Sequence, residues 1–217
     1  MDEVVNFLTS VRREYSGHEL TKDCVSQNPF RQLNSWLEDA VKAQVLEPAA
    51  MILSTVGLEN KPSARTVLIR GQEEKGIIFY TNYDSKKGQD LISNPYVAIT
   101  FFWAELDRQI RITGKAEKTS HEASQKYFSH RPKKSQISAI ASNQSGVVEN
   151  RKSLEEAYSL IEEKYKDIDP LPCPENWGGF LVVIDSFEFW QGRPSRLHDR
   201  IRYINENNDW KLDRLAP

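Results

Sequence analysis

The spacing of apolar residues changes along the chain, and each change marks an element. Val4, Val5, Phe7, Leu8 and Val11 keep one face of a short helix. It ends at Arg12-Arg13-Glu14-Tyr15, and after Ser16-Gly17 the polar segment 18–27 reads as a mobile arm. Asn28-Pro29 opens a second helix, with Asn as cap and Pro in the first turn. Phe30, Leu33, Trp36, Leu37, Ala40, Val41 and Val45 recur there at helical spacing, a stripe that reads as core. From residue 50 the period shortens. Residues 50–56 are apolar and β-branched, which predicts a buried strand, and Glu59-Asn60-Lys61 reads as a turn. Residues 63–70 form the return strand, with Arg65, Val67 and Ile69 on one face and Thr66, Leu68 and Arg70 on the other. Residues 71–76 read as a polar turn and 77–81 as a third strand. Asp84-Ser85 caps a helix running to Ser93, where Asn94-Pro95 stops it. Two further strands fall at 96–103 and 109–117. Short strands joined by turns predict an antiparallel barrel rather than a doubly wound sheet.

Helical spacing then returns. Ser120 caps a helix containing Tyr127 and Phe128. Arg131-Pro132 breaks it and opens another, through Ser135, Ile137 and Ile140. Asn143-Gln144-Ser145-Gly146 is a polar loop, and 151–166 is strongly helical. The proline-rich connector 170–174 is too short for a domain linker. Trp177-Gly178-Gly179-Phe180 opens a strand at 181–184. A further strand follows, with Phe187, Phe189 and Gln191 on one side and Trp190 on the other, until Gly192 and Pro194 break it. Arg196, His198 and Arg200 come next at alternate positions, so an extended backbone would aim all three the same way. The chain closes with Ile201-Arg202-Tyr203-Ile204, a turn at 205–209 and Trp210-Lys211-Leu212. With no internal repeat, one domain over 1–217 is expected, with 1–27 as N-terminal helix and arm.

Charge and composition narrow the chemistry. Lys+Arg 29 against Asp+Glu 31 gives a net charge of -2, which argues against a broad nucleic-acid footprint. Cys24 and Cys173 form neither a disulfide framework nor a zinc site, so a reducing, cytoplasmic setting is expected. Met1-Asp2-Glu3 is acidic with no apolar core behind it, so no signal peptide is expected, and no apolar run reaches membrane-span length. Dinucleotide, P-loop and nucleophile-elbow motifs are absent. His18, His121, His130 and His198 lack metal-ligand spacing, so no metal is expected. What remains is a scatter of phosphate-competent groups. Arg65, Arg70, Lys86, Lys87, Arg131, Arg196 and Arg200 sit at strand ends or helix starts, with Tyr127, Ser135 and Ser145 as neutral donors. Alone, each cation is an ordinary solvated charge. As a set beside an aromatic strand they suit a flat, phosphorylated ligand, because arginine's planar fork grips phosphate in bidentate fashion.

Several blocks carry a resemblance. Phe79-Tyr80-Thr81-Asn82, Tyr127-Phe128-Ser129-His130-Arg131-Pro132, Trp177-Gly178-Gly179-Phe180 and Trp190-Gln191-Gly192 with Arg196-Leu197-His198-Asp199-Arg200 resemble the pyridoxine/pyridoxamine 5′-phosphate oxidase family. The ending Arg214-Leu215-Ala216-Pro217 does too. The resemblance implies a mainly β protein with flanking helices, an antiparallel FMN-binding split β-barrel. It also implies a homodimer with FMN at the interface. Arg65 and Lys87 would hold the FMN phosphate, with Lys86 and Ser145 assisting. Arg65, Thr66, Val67, Leu68, Ile69 and Arg70, with Tyr80 and Thr81, would line the flavin and its ribityl chain. Gln109, Gln144, Trp190 and Arg200 would contact the ring system.

On the substrate side, Arg70, Tyr127, Arg131 and Ser135 would grip a second phosphate. Arg196 and His198, with Leu197 between them, would cover the pyridine ring as the catalytic pair, and Arg12, Arg13, Glu14 and Tyr15 would form a lid. The implied reaction turns pyridoxine 5′-phosphate or pyridoxamine 5′-phosphate into pyridoxal 5′-phosphate, by hydride transfer to flavin N5 and reoxidation by O2 to H2O2. The sequence departs from the family pattern at Arg70 (usually lysine), Lys86 (often arginine), Glu47 (often aspartate), and Ser138 and Ile140 (usually glycine and tryptophan). A non-catalytic binder of FMN or pyridoxal phosphate is the alternative, and it would not need Tyr127, Arg131, Ser135, Arg196 and His198. A flavin reductase using a nicotinamide donor would leave the second phosphate grip unexplained.

Overall fold

The computed structural model describes residues 2–10, 13–207 and 209–217. The elements run in blocks of strands and blocks of helices rather than alternating. The strands are β1 (Ala50–Val56), β2 (Pro62–Leu68), β3 (Gly71–Glu73), β4 (Gly76–Asn82), β5 (Tyr96–Trp103), β6 (Arg108–Lys118), β7 (Trp177–Gln191), β8 (Asp199–Glu206) and β9 (Asp209–Arg214). The helices are α1 (Asp2–Ser10), α2 (Pro29–Lys42), α3 (Lys86–Ser93), α4 (His121–Ser129), α5 (Lys133–Ala141) and α6 (Arg151–Lys164). The strands pair in the order β2-β1-β5-β6-β7-β4-β3, with β8 joined to β7 and β9 to β8. This is the antiparallel split barrel with flanking helices. None of the described helices is long and apolar enough to cross a membrane.

By contact the chain falls into two compact units, each discontinuous in sequence. One comprises Met1–Pro48, Thr100–Ile112 and Ser186–Pro217; the other comprises Ala49–Ile99 and Thr113–Asp185. Neither is a continuous segment that a linker could release.

In the first unit α2 starts where Asn28 accepts hydrogen bonds from the Phe30 and Arg31 amides, at 2.9 and 3.2 Å. The helix stops earlier than its apolar stripe, because Gln44 turns into the left-handed region at φ 56. Val45 therefore lies past the helix, while Phe30, Leu33, Trp36 and Ala40 are buried. Trp36 meets Phe189 edge-on at 5.1 Å, and Phe189 meets Tyr203 at 5.6 Å. Arg108 lies 4.5 Å from the Trp36 ring and pairs with Asp39 at 2.7 Å, closing that face. β8 and β9 pair from Ile201↔Arg214 to Glu206↔Asp209.

In the second unit β1 and β2 pair along their whole length, from Ala50↔Leu68 to Val56↔Pro62. The expected alternation on β2 holds: Ser63, Arg65 and Val67 are half-buried, while Ala64 and Thr66 are exposed. Two expectations fail. Residues 71–73, read as turn, are the short strand β3, paired to β4 by Gly71↔Ile78. Three residues are too few to show a period. The two strands expected at 181–184 and 187–191 are one strand, β7, whose first half pairs with β4 through Gly76↔Val183 to Asn82↔Trp177. The backbone runs on extended through polar Asp185 and Ser186.

Phe189 is fully buried among Trp36, Phe187 and Tyr203. Phe189→Ala should cost about 3–5 kcal/mol. Urea denaturation reads this directly, and a loss under about 1 kcal/mol would mean this aromatic face is not the core of its unit.

Candidate functional site

The second unit holds a cavity of about 600 Å³ built by six segments. The β2 end supplies Thr66, Val67, Leu68 and then Arg70. β4 supplies Tyr80 and Thr81, and the first turn of α3 supplies Lys87. The α4–α5 junction supplies Tyr127, His130, Arg131, Pro132 and Ser135; Gln144 and Trp177 complete the wall. α3 is seated closely, since a Cβ on Gly88 would lie 2.2 Å from the Tyr83 carbonyl oxygen. Only glycine permits that approach, and it sets where Lys87 enters the cavity. Lys87 Nζ donates to Gln144 Oε1 at 3.0 Å and to Thr81 Oγ1 at 3.3 Å, and Thr81 also donates to Gln144 Oε1 at 3.0 Å. With its oxygen engaged, the Gln144 amide keeps its NH2 for a ligand.

Two partly desolvated cations, Lys87 and Arg131, share this wall. Burial, with the neighbouring charge of Arg65, lowers the Lys87 pKa. Burial also lowers that of Arg131, against the favourable influence of Tyr127. Arg131 lies 4.7 Å from the Trp177 ring and 5.6 Å from that of Phe128. Its Nη1 is buried with no hydrogen-bond partner among the described residues. Tyr80, Tyr127 and Trp177 stack in parallel, Tyr80 on Tyr127 at 3.7 Å and on Trp177 at 5.5 Å. That slab fixes the Tyr127 ring beside Arg131.

Arg65 is held by other partners than the cavity. It donates to Thr55 Oγ1 at 2.7 Å, to the Leu53 carbonyl at 3.2 Å and to Ser63 Oγ at 2.6 Å. Thr55 in turn donates to buried Asp90 at 2.8 Å, and Lys86 Nζ closes onto the other Asp90 oxygen. Burial would raise the Asp90 pKa, but the hydrogen bonds from Lys86 and Thr55 and the charges of Lys86 and Arg65 outweigh it, holding the group below the usual carboxylate range. Desolvation lowers the Arg65 pKa, offset in part by Asp90.

The first unit holds a separate cavity of about 690 Å³, lined by Arg13, Glu14, Tyr15, Arg193, Ser195, Arg196 and His198. Tyr15, Trp190 and His198 cluster, with ring centroids 5.6 Å (Tyr15–Trp190), 5.2 Å (Tyr15–His198) and 4.7 Å (Trp190–His198) apart. The Arg193 amide donates to His198 Nδ1 at 3.1 Å, which places the neutral ring's proton on Nε2. The arm is tied by Asp107. Its carboxylate meets Arg13 Nη2 at 2.8 Å and accepts the Ser16 amide at 3.3 Å. Arg200 is turned to Glu188 at 2.9 Å and to the Ala216 carbonyl at 2.7 Å; the hydrogen bond to Glu188 raises its pKa.

The structure thus sorts the sequence-derived set. Thr66, Val67, Leu68, Arg70, Tyr80, Thr81, Lys87, Gln144, Tyr127, Arg131 and Ser135 share one cavity; Arg13, Glu14, Tyr15, Arg196 and His198 share the other. Arg65, Lys86, Ile69 and Ser145 do not line the first cavity. Ile69 donates its amide to the Ala49 carbonyl, and Ser145 has φ 73 in the exposed loop. Gln109 and Trp190 are half-buried in β6 and β7. Leu197 is exposed and borders a smaller cavity with the C-terminal residues 214–217. Arg12 lies outside the described residues. One geometric expectation is corrected: Arg196, His198 and Arg200 do not share a strand face. Ser195 and Arg196 have φ 56 and 60, so a left-handed turn stands where extended backbone was assumed, and Arg200 belongs to β8. His130, Trp177, Asp90, Asp107 and Glu188 were not singled out as site residues. Of these Asp90 had a readable signal, an acid four residues after Lys86 on a helix.

Comparison with known proteins follows this geometry. The family model described as Pyridoxamine 5′-phosphate oxidase matches residues 37–165. The model described as Pyridoxine 5′-phosphate oxidase C-terminal dimerisation region matches residues 177–217. A pyridoxine/pyridoxamine 5′-phosphate oxidase of Acaryochloris marina is 46% identical over 217 residues, covering 100% of this chain and 99% of its own. One from Paraburkholderia xenovorans is 48% identical over 212 residues, covering 97% and 99%. Among solved structures, PhzG from Burkholderia lata in complex with tetrahydrophenazine-1-carboxylic acid superposes with TM-score 0.86 at 29% identity, over 93% of this chain and 100% of that one. A pyridoxamine 5′-phosphate oxidase-related, FMN binding protein from Nostoc punctiforme gives TM-score 0.70 at 18% identity, over 89% and 100%, which shows the shared fold.

The Asp90 network sets a pH dependence. A carboxyl whose folded pKa is depressed stabilises the fold above its unfolded value, and that contribution is lost as pH falls through the folded value. Asp90→Asn should therefore destabilise the protein near pH 7, with a penalty that shrinks below about pH 4. Urea midpoints of both proteins across that range test this; a penalty constant with pH would contradict it.

Proposed function

The chain belongs to the pyridoxamine 5′-phosphate oxidase family, and from that membership we propose that it is an FMN-dependent oxidase producing pyridoxal 5′-phosphate. Its substrates would be pyridoxine 5′-phosphate and pyridoxamine 5′-phosphate, and its working form a homodimer with FMN at the interface. The match of residues 177–217 to a dimerisation region supports that assembly. The observation that carries the reading is the double anion grip in one cavity: Lys87 with Thr81 and Gln144, and Arg131 with Tyr127, Ser135 and Arg70.

The donor set fits both phosphates. A buried guanidinium nitrogen without a partner and an ammonium lowered by burial both gain from a nearby anion. Lys87 would hold the FMN phosphate, while Asp90 and Thr55 keep Arg65 and Lys86 fixed behind it. Arg131 and Ser135, at the open first turn of α5, would hold the substrate phosphate with Arg70 and the stacked Tyr127. Bound FMN would supply the two-electron acceptor that passes electrons to O2. For the amine, substrate, O2 and water would give aldehyde, ammonia and H2O2. In the assembled dimer Arg196 and His198 would flank the pyridine ring, His198 presenting the Nε2 proton that its Arg193 contact leaves there. Arg13 to Tyr15 would cover the ring and exclude water.

A non-catalytic binder of FMN or pyridoxal phosphate would have no use for Arg196 and His198. An absorbance spectrum of the purified protein, followed by peroxide release on adding pyridoxamine 5′-phosphate, separates the two. A flavin spectrum with no peroxide leaves the binder. Arg196→Ala should lower turnover about a hundredfold or more while FMN stays bound. Near-normal turnover would remove its role at the ring.

A further inference from the structure

One titratable side chain in the cavity of the second unit has no part in the proposal above. His130 is solvent-exposed and lines that wall beside Arg131. It closes α4, its backbone amide donating to the Tyr127 carbonyl at 3.2 Å. Its ring is fixed too. Nδ1 lies 2.7 Å from the Lys126 carbonyl oxygen, and a carbonyl can only accept, so Nδ1 carries the hydrogen. The ring atom left for a ligand is Nε2. On a neutral imidazole Nε2 is a lone pair; on an imidazolium it is an N–H donor.

We propose that His130 is a further contact of the substrate-phosphate grip, donating from Nε2 to a phosphate monoester when its imidazole is protonated. The proposal rests on the reading that Arg70, Tyr127, Arg131 and Ser135 hold that phosphate. A neutral imidazole would turn a lone pair towards the phosphate oxygens, so the contact comes and goes with one proton. Substrate and proton therefore bind cooperatively, each raising the affinity for the other. The surroundings suit this. No carboxylate lines the cavity among the described residues. Its charged and titratable groups are Arg70, Tyr80, Lys87, Tyr127 and Arg131. Lys126 lies one turn back on α4, Lys134 follows on α5, and Lys133 gives its ammonium to the Lys166 carbonyl at 2.7 Å. A phosphate dianion is then the counter-charge that Nε2 of the imidazolium would meet.

The test measures KM for pyridoxamine 5′-phosphate with the FMN-loaded enzyme, unaltered and as His130→Ala and Arg131→Ala, at about pH 6 and about pH 8.5. Substrate phosphate has its own second ionisation near about pH 6, but all three proteins share it, so it cancels in ratios of KM. His130→Ala should raise KM about five- to tenfold at the acidic end and less than about twofold at the basic end, with the effect on KM rather than kcat. A ratio that stays level with pH, or no rise at all while Arg131→Ala does raise KM, overturns the proposal and leaves the phosphate reading standing. If Arg131→Ala leaves KM unchanged, the phosphate reading itself fails. Should His130→Ala lose its FMN on purification, His130→Gln replaces it, keeping bulk without charge.

Discussion

One buried carboxylate organises the cations of the second unit. Asp90 bonds Lys86 directly and Thr55 by a hydroxyl, and Thr55 in turn fixes Arg65. Burying Arg65 and Lys87 costs energy, visible in the lowered pKa of both, and the charge of Arg65 adds to the effect on Lys87. Asp90 offsets part of that cost from the side away from the cavity wall. The wall keeps an unspent positive charge on Lys87, because Gln144, Thr81 and Ser85 offer it neutral partners only. A carboxylate in the wall would have cancelled the attraction for phosphate. That separation leaves the cavity wall positive, the charge that suits an anion.

The parts of this arrangement that the sequence disclosed are those with a period or a cap. Alternation on β2 placed Arg65 apart from Thr66, and Ser85 marked the start of α3. The cap at Ser85 places Lys87 in the first turn of that helix. What stayed hidden depends on conformations without a sequence signature. Ser195 and Arg196 occupy the left-handed region, where glycine would have announced a turn. The assumption of extended backbone then put Arg200 with Arg196 and His198, whereas Glu188 and the Ala216 carbonyl claim it. The stacking of Tyr80, Tyr127 and Trp177 unites residues far apart in sequence, which no local pattern reports.

Fold and ligand are separable. PhzG shares the architecture at TM-score 0.86 and holds a phenazine carboxylic acid. A shared sheet therefore says little about what is bound, and the argument for a phosphorylated ligand rests on side chains. Arg131 bears most of that weight. Trp177 and Phe128 lie against its guanidinium, while Nη1 has no intramolecular acceptor among the described residues. Such a group is costly to bury unless an anion completes it.

The tether at Asp107 has a consequence for how the arm would detach. Its Arg13 side chain is 56% exposed, whereas Asp107 is 6% exposed. Dissolved salt screens the outer ion pair but barely reaches the Ser16 amide bond to the same carboxylate. Gly17 is held further on, its carbonyl accepting from Arg193 at 2.9 Å. Rising ionic strength should therefore loosen the Arg13 ion pair first, leaving Arg13 on its neutral bond to the Ala104 carbonyl while Ser16 and Gly17 still hold, so that the arm slackens from its outer end by degrees.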